Sequence, residues 1–473
     1  MSTDSKPELE PTILVIFGIT GDLSKRYLLP SLYHLVANGM LHEQTEIIGV
    51  TRGNMTTDEL FSHVELCVNE ADGICDPVAV KKLMSKLQLR HMDVTKPAEY
   101  DQLSNDLNKI EDTHGTHMNR LYYLSIPPNV AQPIVTFLGQ HGLNMSCQHG
   151  AASTRLLVEK PFGYDESSAK EMIEATSQQF GEDQVFRIDH YLAKETVQNI
   201  LAFRFNNPIF EPLWNAEHID YIEVFANEKL GIEGRVNFYE QTGALKDLIQ
   251  SHLLQVLALV TMEQPHELTS DAIHADKLNL MSHMKPVPAN MVTAEAVRGQ
   301  YEGYREEVDN QDSNTETYAA IRIYIDNERW KDVPMIIKTG KALQEKLSEV
   351  NVVFKPTTDN PHHNVLTFRI QPNEGIELSL RIKKPGFDDE IQPVEMEFDY
   401  KSAFKKDFTP TAYERVLVDA VRGDHTLFAT AGEILESWRV VQPVMHEWSK
   451  DGNDLHIYEQ GSMGPETKHL YLH

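Results

Sequence analysis

Short, continuously apolar runs alternate with helical patterns in the first part of the chain. The run at 13–17 contains no polar residue, which is typical of a strand buried on both faces of a parallel sheet. Strands that alternate with helices indicate βαβ units. We therefore predict an α/β, Rossmann-like dinucleotide-binding domain over residues 1–186. Its predicted strands are 13–17, 46–50, 120–125 and 155–159, with helical patterns around 56–69, 78–88 and 167–179.

The pattern changes after about residue 185, where β-rich segments with alternating apolar and polar positions follow one another. Such alternation is typical of antiparallel strands. We predict a second, α+β domain over residues 187–473, built on a large, mainly antiparallel sheet with helices on one face. Its predicted strands are 219–225, 318–325, 349–354, 364–370, 375–382 and 392–398, and its helical patterns are 245–261 and 413–421.

The chain is strongly acidic, with a net charge of −28 and a pI of about 5.1. Such a chain repels nucleic acid and anionic membranes, so we expect neither as a partner. It would also repel phosphorylated metabolites, which it could bind only by gathering cations locally. No apolar stretch is long enough to span a bilayer.

Cysteine usage and the N-terminus predict a cytoplasmic protein. The three cysteines, Cys67, Cys75 and Cys147, form neither a Cys-x-x-Cys pair nor a zinc pattern, so no disulfide framework or metal is expected. The first ten residues are polar and acidic, unlike a signal or transit peptide.

The segment 187–195 is too polar to be simple core, because buried polar groups without partners cost several kcal/mol each. Asp189 can orient a base, and His190, Tyr191 and Lys194 can all donate hydrogen bonds to a phosphate. The segment falls at the predicted domain junction, where ligand clefts usually lie.

A glycine motif, Gly18-x-x-Gly21-Asp22, follows the first predicted strand and precedes a helix. A dinucleotide pyrophosphate would bind there, with the Thr20 hydroxyl as a further donor. Because the motif is not Gly-x-Gly-x-x-Gly, a plain strand–helix turn is an equal alternative. Arg52 follows the second strand and suits the 2′-phosphate of NADP, unless it is an ordinary exposed arginine.

Two lysine motifs have a functional and a structural interpretation. Lys160, at the end of the strand 155–159, would point into a cleft at the edge of the sheet, or simply belong to a turn stiffened by Pro161. The segment 338–346 carries three lysines, which form either a solvated loop or a clamp for a phosphate or sugar.

A histidine lies on the predicted helix 245–261. Asp247 and Ser251 would share one face of an α-helix, with His252 roughly 100° round from Ser251. Asp247 and His252 should then border a cleft from different sides without pairing. A lone histidine on an apolar helix is more often structural than catalytic.

Five motifs in one order resemble the glucose-6-phosphate dehydrogenase family from about residue 12 to 450. They are Gly18-Ile-Thr-Gly-Asp-Leu, Glu159-Lys-Pro-Phe-Gly, Arg187-Ile-Asp-His-Tyr-Leu-Ala-Lys-Glu, Asp247…His252-Leu-Leu-Gln and Lys338-Thr-Gly-Lys. The resemblance implies oxidation of D-glucose 6-phosphate at C1 to 6-phosphoglucono-1,5-lactone, with hydride transfer to NADP, as the first step of the oxidative pentose phosphate pathway.

The resemblance also implies roles for single residues. His252 matches the general base, and Asp189 matches the carboxylate paired with it. The matching substrate positions are Lys160, His190, Tyr191, Lys194, Glu228, Asp247, Lys341 and Lys346. The matching cofactor positions are Gly18, Thr20, Gly21, Asp22, Leu23, Arg52 and Lys160.

Three positions depart from the family's usual residues. Ala193 stands for a glycine and should be tolerated unless the position needs a positive φ. Tyr27 stands where many members have a basic residue, which removes one potential 2′-phosphate contact. Lys338 replaces a frequent arginine, which keeps the charge but loses the fork.

Two alternatives stay open beside this interpretation. The chain could be a dehydrogenase of glucose or another hexose phosphate, although the cations at 190–194 argue against an unphosphorylated sugar. It could also be an inactive regulatory protein that binds NADP or a sugar phosphate. A large sheet with an open face further predicts a homodimer or homotetramer.

Overall fold

The computed structural model divides into two compact units. The first consists of Met1–Gly163, Ser167–Ala193 and Pro410–Ala431, and the second of Tyr164–Glu166, Lys194–Thr409 and Gly432–His473. The structure describes residues 9–62, 75–145, 152–357, 361–404, 410–450 and 454–472. Cys67, Cys147, most of the N-terminal segment and part of the helical pattern at 56–69 lie outside the described residues.

The first unit is built on a seven-stranded sheet with the order β16-β6-β5-β4-β1-β2-β3. Strands β1 to β6 are parallel, and β16 pairs antiparallel with β6. The strands are β1 Thr12–Phe17, β2 Glu46–Thr51, β3 Leu87–His91, β4 Asn119–Leu124, β5 Thr154–Val158, β6 Val185–Ile188 and β16 Phe428–Ala429.

Helices cover both faces of this sheet. They are α1 Leu29–Ala37, α2 Pro77–Lys86, α3 Ala98–His114, α4 Pro128–Gln140, α5 Glu166–Ser177 and α13 Ala412–Arg422. Leu14 and Ile16 of β1 pack into one apolar cluster, and Ile13, Val15 and Phe17 pack into another on the opposite face. The predicted doubly buried strand and parallel α/β unit are thereby confirmed.

Two features of this unit differ from the sequence pattern. The predicted helix 78–88 ends at Lys86, because Leu87 adopts an extended conformation and begins the edge strand β3. The periodicity at 413–421 predicts helix α13 correctly but does not reveal that it packs in the first unit. The domain boundary between residues 186 and 187 stays a prediction.

The second unit is built on a large mixed sheet with the order β15-β14-β13-β12-β7-β11-β10-β9-β17, and β8 pairs with β10. Only β7–β11 and β9–β17 are parallel among its described pairs, so the mainly antiparallel sheet is confirmed. The strands are β7 Ile219–Asn227, β8 Met284–Lys285, β9 Ala296–Tyr301, β10 Tyr318–Ile325, β11 Met335–Gly340, β12 Leu347–Phe354, β13 Val365–Gln371, β14 Gly375–Lys383, β15 Ile391–Asp399 and β17 Leu455–Tyr458.

Burial alternates along the central strands of this sheet. Leu366, Phe368 and Ile370 of β13 are fully buried, whereas the residues between them are partly exposed. The helices of the unit are α6 Glu195–Asn206, α7 Val236–Ala244, α8 Leu254–Thr261, α9 Ser270–Ser282, α10 Val292–Glu295, α11 Tyr304–Glu307, α12 Tyr400–Ala403 and α14 Ala431–Trp448. Among the residues described, no helix combines the length and apolarity needed to cross a membrane.

Candidate functional site

The turn after β1 requires a glycine. Gly18 has a φ of +86°, and a Cβ at this position would lie 2.3 Å from the Ser125 carbonyl oxygen. The Gly18 amide donates to the Val50 carbonyl at 3.2 Å, and the Gly21 amide donates to the Gly18 carbonyl at 2.9 Å. The backbone therefore turns tightly at the carboxyl ends of the central parallel strands, where α/β sheets bind ligands.

The turn leads through Leu23 into a helical segment, a π-helix at Ser24–Leu28 followed by α1, with Pro30 in the first turn of α1. The buried Ser24 hydroxyl donates to the Gly18 carbonyl at 3.1 Å. Thr20 and Thr51 hydroxyls lie 3.3 Å apart beside it. The first amides of a helix have no partner within the helix, and the neighbouring Gly18 leaves no room for a side chain. Both features suit the binding of a dinucleotide pyrophosphate.

The charged cofactor candidates lie at the surface of the same unit. Arg52 is exposed directly after β2. Asp22 is exposed and pairs with Arg26 at 3.6 Å. This carboxylate therefore balances part of the positive charge of the helix.

A buried carboxylate holds the candidate phosphate-binding histidine. Glu159 accepts a hydrogen bond from the Tyr123 hydroxyl at 2.6 Å, and its second oxygen lies 3.3 Å from Nε2 of His190. Burial alone would raise the pKa of Glu159, but the charge and hydrogen bond of His190, the Tyr123 hydroxyl and the charge of Lys160 together hold that pKa below its ordinary value. Glu159 is therefore a carboxylate that favours a cationic neighbour. The Lys160–Pro161 peptide beside it is cis.

Asp189 is fixed by its own turn. Its Oδ1 accepts hydrogen bonds from the backbone amides of Tyr191 at 2.8 Å and Leu192 at 3.3 Å, and the residue is almost fully buried. These local hydrogen bonds help to orient the carboxylate. Ala193 does not have a positive φ, so the methyl group that departs from the family pattern is accommodated, as expected.

Lys194 belongs to the second unit, where its ammonium group donates to Oε1 of Gln371 at 2.8 Å. Glu374 lies nearby. Burial raises the pKa of Glu374, and the charge of Lys194 opposes that rise. One partner of Lys194 is thus a neutral amide at the end of β13.

A second lysine, Lys341, is buried among acidic groups. Its side chain is 3% exposed, and its ammonium group pairs closely with Glu228 and lies 3.7 Å from Oδ2 of Asp247. It also lies 5.1 Å from the ring centroid of Tyr239. The Glu228 amide donates to the Gly340 carbonyl at 2.8 Å, which ties the end of β7 to the end of β11. Two carboxylates and one ammonium group form a polar site suited to sugar hydroxyls.

The segment that carries Asp247 and His252 is a π-helix, Leu245–Leu253, and only from Leu254 onward an α-helix. The expected α-helix is therefore wrong for Leu245–Leu253, whereas the expectation that Asp247 and His252 do not pair stays a prediction. The backbone hydrogen bonds of a π-helix join residues five positions apart, so Asp247 and His252 lie closer in angle around the axis than they would in an α-helix. Both residues are buried. The same π-helix thus carries the candidate base and Asp247, which lies 3.7 Å from the Lys341 ammonium group.

A buried carboxylate anchors the start of this π-helix. The Leu245 amide donates to Oε1 of Glu316 at 3.0 Å, and the Ala244 amide donates to the Glu316 carbonyl at 2.9 Å. Gly243 has a φ of +65°, and a Cβ there would meet the Glu316 carboxylate at 2.3 Å. Burial raises the pKa of Glu316 even though the Leu245 amide opposes the rise.

The remaining lysines of the segment 338–346 do not join Lys341. Lys338 pairs instead with Glu223 at 2.5 Å. Its ammonium group also donates a hydrogen bond to the Tyr471 hydroxyl at 3.1 Å. Lys346 is exposed and directly precedes β12. Sequence reasoning missed several residues that contact the candidates, namely Glu159, Tyr239, Gln371 and Tyr413. Only Glu159, adjacent to Lys160 in its motif, carried a local signal.

Comparisons with known proteins agree along the whole chain. Residues 15–199 match the family model "Glucose-6-phosphate dehydrogenase, NAD binding domain", and residues 201–473 match "Glucose-6-phosphate dehydrogenase, C-terminal domain". Glucose-6-phosphate 1-dehydrogenase of Chlamydia pneumoniae is 38% identical over 96% of this chain and 93% of its own length. The same enzyme of Bacillus subtilis is 37% identical, covering 98% and 97%.

Solved structures show the same relationship. A glucose-6-phosphate dehydrogenase in complex with its substrate glucose-6-phosphate has a TM-score of 0.90 and 32% identity, covering 100% of this chain and 98% of that chain. Glucose-6-phosphate 1-dehydrogenase from Mycobacterium avium has a TM-score of 0.84 and 34% identity, covering 97% and 96%.

Gly18→Ala should weaken dinucleotide binding and destabilise the first unit, because the added methyl meets the Ser125 carbonyl at a positive φ. We expect at least about a tenfold higher Kd for NADP, used as the probe in a fluorescence titration, and a lower Tm. Gly39→Ala is the matched control, since Gly39 has a φ of +65° with open space around it and should lose only about 1–2 kcal/mol from backbone strain. Equal NADP affinity in the two variants would contradict the cofactor assignment.

Proposed function

The chain belongs to the glucose-6-phosphate dehydrogenase family, and we propose that the candidate residues described above carry out the family's reaction. The enzyme oxidises D-glucose 6-phosphate at C1 to 6-phosphoglucono-1,5-lactone and reduces NADP, the first step of the oxidative pentose phosphate pathway. The observation that best supports these roles is the π-helix, which carries His252 together with Asp247, a carboxylate beside the buried Lys341.

The glycine turn of the first unit would hold NADP. Gly18 and Gly21 let the backbone approach the pyrophosphate, Thr20 and the amides from Asp22 and Leu23 onward donate to it, and Arg52 faces the 2′-phosphate. Lys160 follows β5 and lies at the same edge of the sheet. When bound, NADP supplies the acceptor for the hydride.

In the proposed chemistry, His252 removes the proton of the C1 hydroxyl and a C1=O bond forms. The hydrogen on C1 leaves with both electrons of the C1–H bond, as a hydride that NADP would accept. The general base therefore takes one proton, and the two electrons leave with the hydride. We assign Asp189 as the carboxylate that stabilises the imidazolium of His252. The backbone amides of its own turn orient it through two hydrogen bonds.

The substrate roles divide by charge. Glu228 and Asp247 accept hydrogen bonds from sugar hydroxyls, and Lys341 donates one. His190, Tyr191 and Lys194 bind the phosphate, and Lys346 reaches it from solvent. Lys160 contacts both substrate and cofactor. The cationic phosphate set argues against unphosphorylated glucose as the main substrate, and the presence of both Asp189 and His252 argues against an inactive regulatory protein.

His252→Asn should lower kcat by about 10²–10⁴-fold with glucose 6-phosphate and NADP, because the general base is lost. Asp189→Asn should lower kcat in the same direction. His266→Asn, at an 80% exposed histidine, serves as the matched control and should leave kcat unchanged. Absorbance of the reduced cofactor measures both.

The wild-type panel of that assay tests the function itself. Initial rates are compared for glucose 6-phosphate, glucose and other hexose phosphates, with NADP and with NAD. Turnover of another sugar in preference to glucose 6-phosphate, or binding without any turnover, would overturn the proposed substrate. Near-full kcat in His252→Asn would remove this residue as the base.

Lys194→Ala should raise KM for glucose 6-phosphate about ten- to hundredfold with little change in kcat, since a charge-assisted hydrogen bond to the phosphate contributes about 1.5–3 kcal/mol. The rate with unphosphorylated glucose should not change. Lys331→Ala, at an exposed lysine after β10, is the control. An unchanged KM would exclude Lys194 from the phosphate site.

We also propose that the enzyme is at least a homodimer, formed through the outer strands β14 and β15. Opposite residues on one face of this pair are apolar, including Leu378 with Met396 and Leu380 with Val394. Met396 is 62% exposed and Ile382 47% exposed. A sheet face with exposed apolar residues at the edge of a large sheet is stabilised when a second copy covers it.

Met396→Glu should shift the protein toward its 53.9-kDa monomer in sedimentation velocity, because the substitution places a charge in the proposed apolar interface. Met463→Glu, at a similarly exposed methionine elsewhere in the second unit, should leave the oligomer intact. A wild-type monomer at every concentration, or no difference between the two variants, would contradict this interface.

We infer a cytoplasmic location from cysteine chemistry. The buried Cys75 is not part of a disulfide, which suits a reducing compartment. Recovery of the activity in an extracytoplasmic fraction would contradict this.

A further inference from the structure

Two stacked tyrosines back the candidate phosphate-binding histidine in the first unit. The ring of Tyr413 lies 4.2 Å from the ring of His190, centroid to centroid, at 31°. On the other side, Tyr27 stacks on Tyr413 at 5.3 Å and 9°, with the Arg26 guanidinium 5.7 Å from its centroid. We call Tyr27, Tyr413 and His190 the aromatic column.

The three rings come from separate elements. Tyr27 is on the π-helix that follows the glycine turn, Tyr413 is in the first turn of α13, and His190 follows β6. The backbone around Tyr413 is fixed by reciprocal hydrogen bonds between Thr411 and Glu414. The column therefore connects the helix of the cofactor motif to the histidine.

The column and Glu159 restrain His190 in different directions. Glu159 contacts the edge of the ring at Nε2, and Tyr413 covers its face. Tyr413 is itself mostly buried, and burial raises the pKa of its hydroxyl well above the ordinary value. Tyr27 is the outermost ring, 45% exposed, so its replacement should not disturb the core.

We propose that Tyr27 is a positioning residue for substrate phosphate binding, acting on His190 through Tyr413. This inference rests on the proposed function, in which His190 contacts the phosphate. Without Tyr27, Tyr413 would lose one stacking partner and hold the His190 ring less firmly.

Two substitutions separate stacking from other roles of Tyr27. Tyr27→Leu should raise KM for glucose 6-phosphate about three- to tenfold, the effect of losing one aromatic pair, with kcat within about twofold of wild type. Tyr27→Phe keeps the ring and should behave like wild type. The kcat/KM for unphosphorylated glucose and the KM for NADP should be unchanged in both, because only the phosphate contact is affected.

A double variant tests whether the effect passes through His190. In a His190→Asn background, Tyr27→Leu should add less than about a twofold change, since coupled residues are not additive. Three results would overturn the inference: equal losses with glucose and glucose 6-phosphate, a rise in KM for NADP alone, or additive effects in the double variant. A wild-type enzyme without activity on glucose 6-phosphate would instead overturn the proposed function, so the two failures are distinguishable.

Discussion

A buried ammonium group organises the candidate sugar site. The Lys341 side chain is 3% exposed, and an isolated cation at that depth would cost several kcal/mol. The cost is offset only if carboxylates reach it, which requires the end of β7 to supply Glu228 and the π-helix to supply Asp247. The ring of Tyr239 covers a further side. Three elements must therefore converge on one atom, and the polar groups that neutralise Lys341 are the same groups that can bind hydroxyls.

The position of His252 depends on a second constraint, the π-helical geometry of Leu245–Leu253. Sequence periodicity assumes 3.6 residues per turn, so it separates Asp247 from His252 by too large an angle. The start of the π-helix is anchored by a residue distant in sequence. The carboxylate of Glu316 accepts a hydrogen bond from the Leu245 amide, and Gly243 leaves room for that carboxylate. No pattern within the helix could have revealed this.

The parts that the sequence could predict are those whose causes are local. The continuous apolar run of β1 and the glycine after it identify a doubly buried strand and a tight turn, and both are confirmed. The edge strand β3 is not apparent in the sequence, because its first two residues continue the helical pattern predicted over 78–88. Its five residues are too few for their alternation to indicate a strand. Partners such as Gln371 for Lys194, or Tyr123 for Glu159, depend on tertiary packing and leave no mark in local sequence.

The net charge of −28 makes the distribution of partners informative. A phosphate dianion approaching this chain is repelled overall and is attracted only where a cation is not already neutralised. Lys341 faces two carboxylates, so it adds little net attraction and is better suited to orient neutral hydroxyls. Lys194 donates to the amide oxygen of Gln371, a neutral partner, and its charge also opposes the rise that burial causes in the pKa of Glu374. His190 shares one carboxylate with Tyr123 and needs its ring held by neighbours instead. In the proposed function, the sugar hydroxyls therefore meet a lysine held between two carboxylates, whereas the phosphate meets a lysine that donates to an amide oxygen.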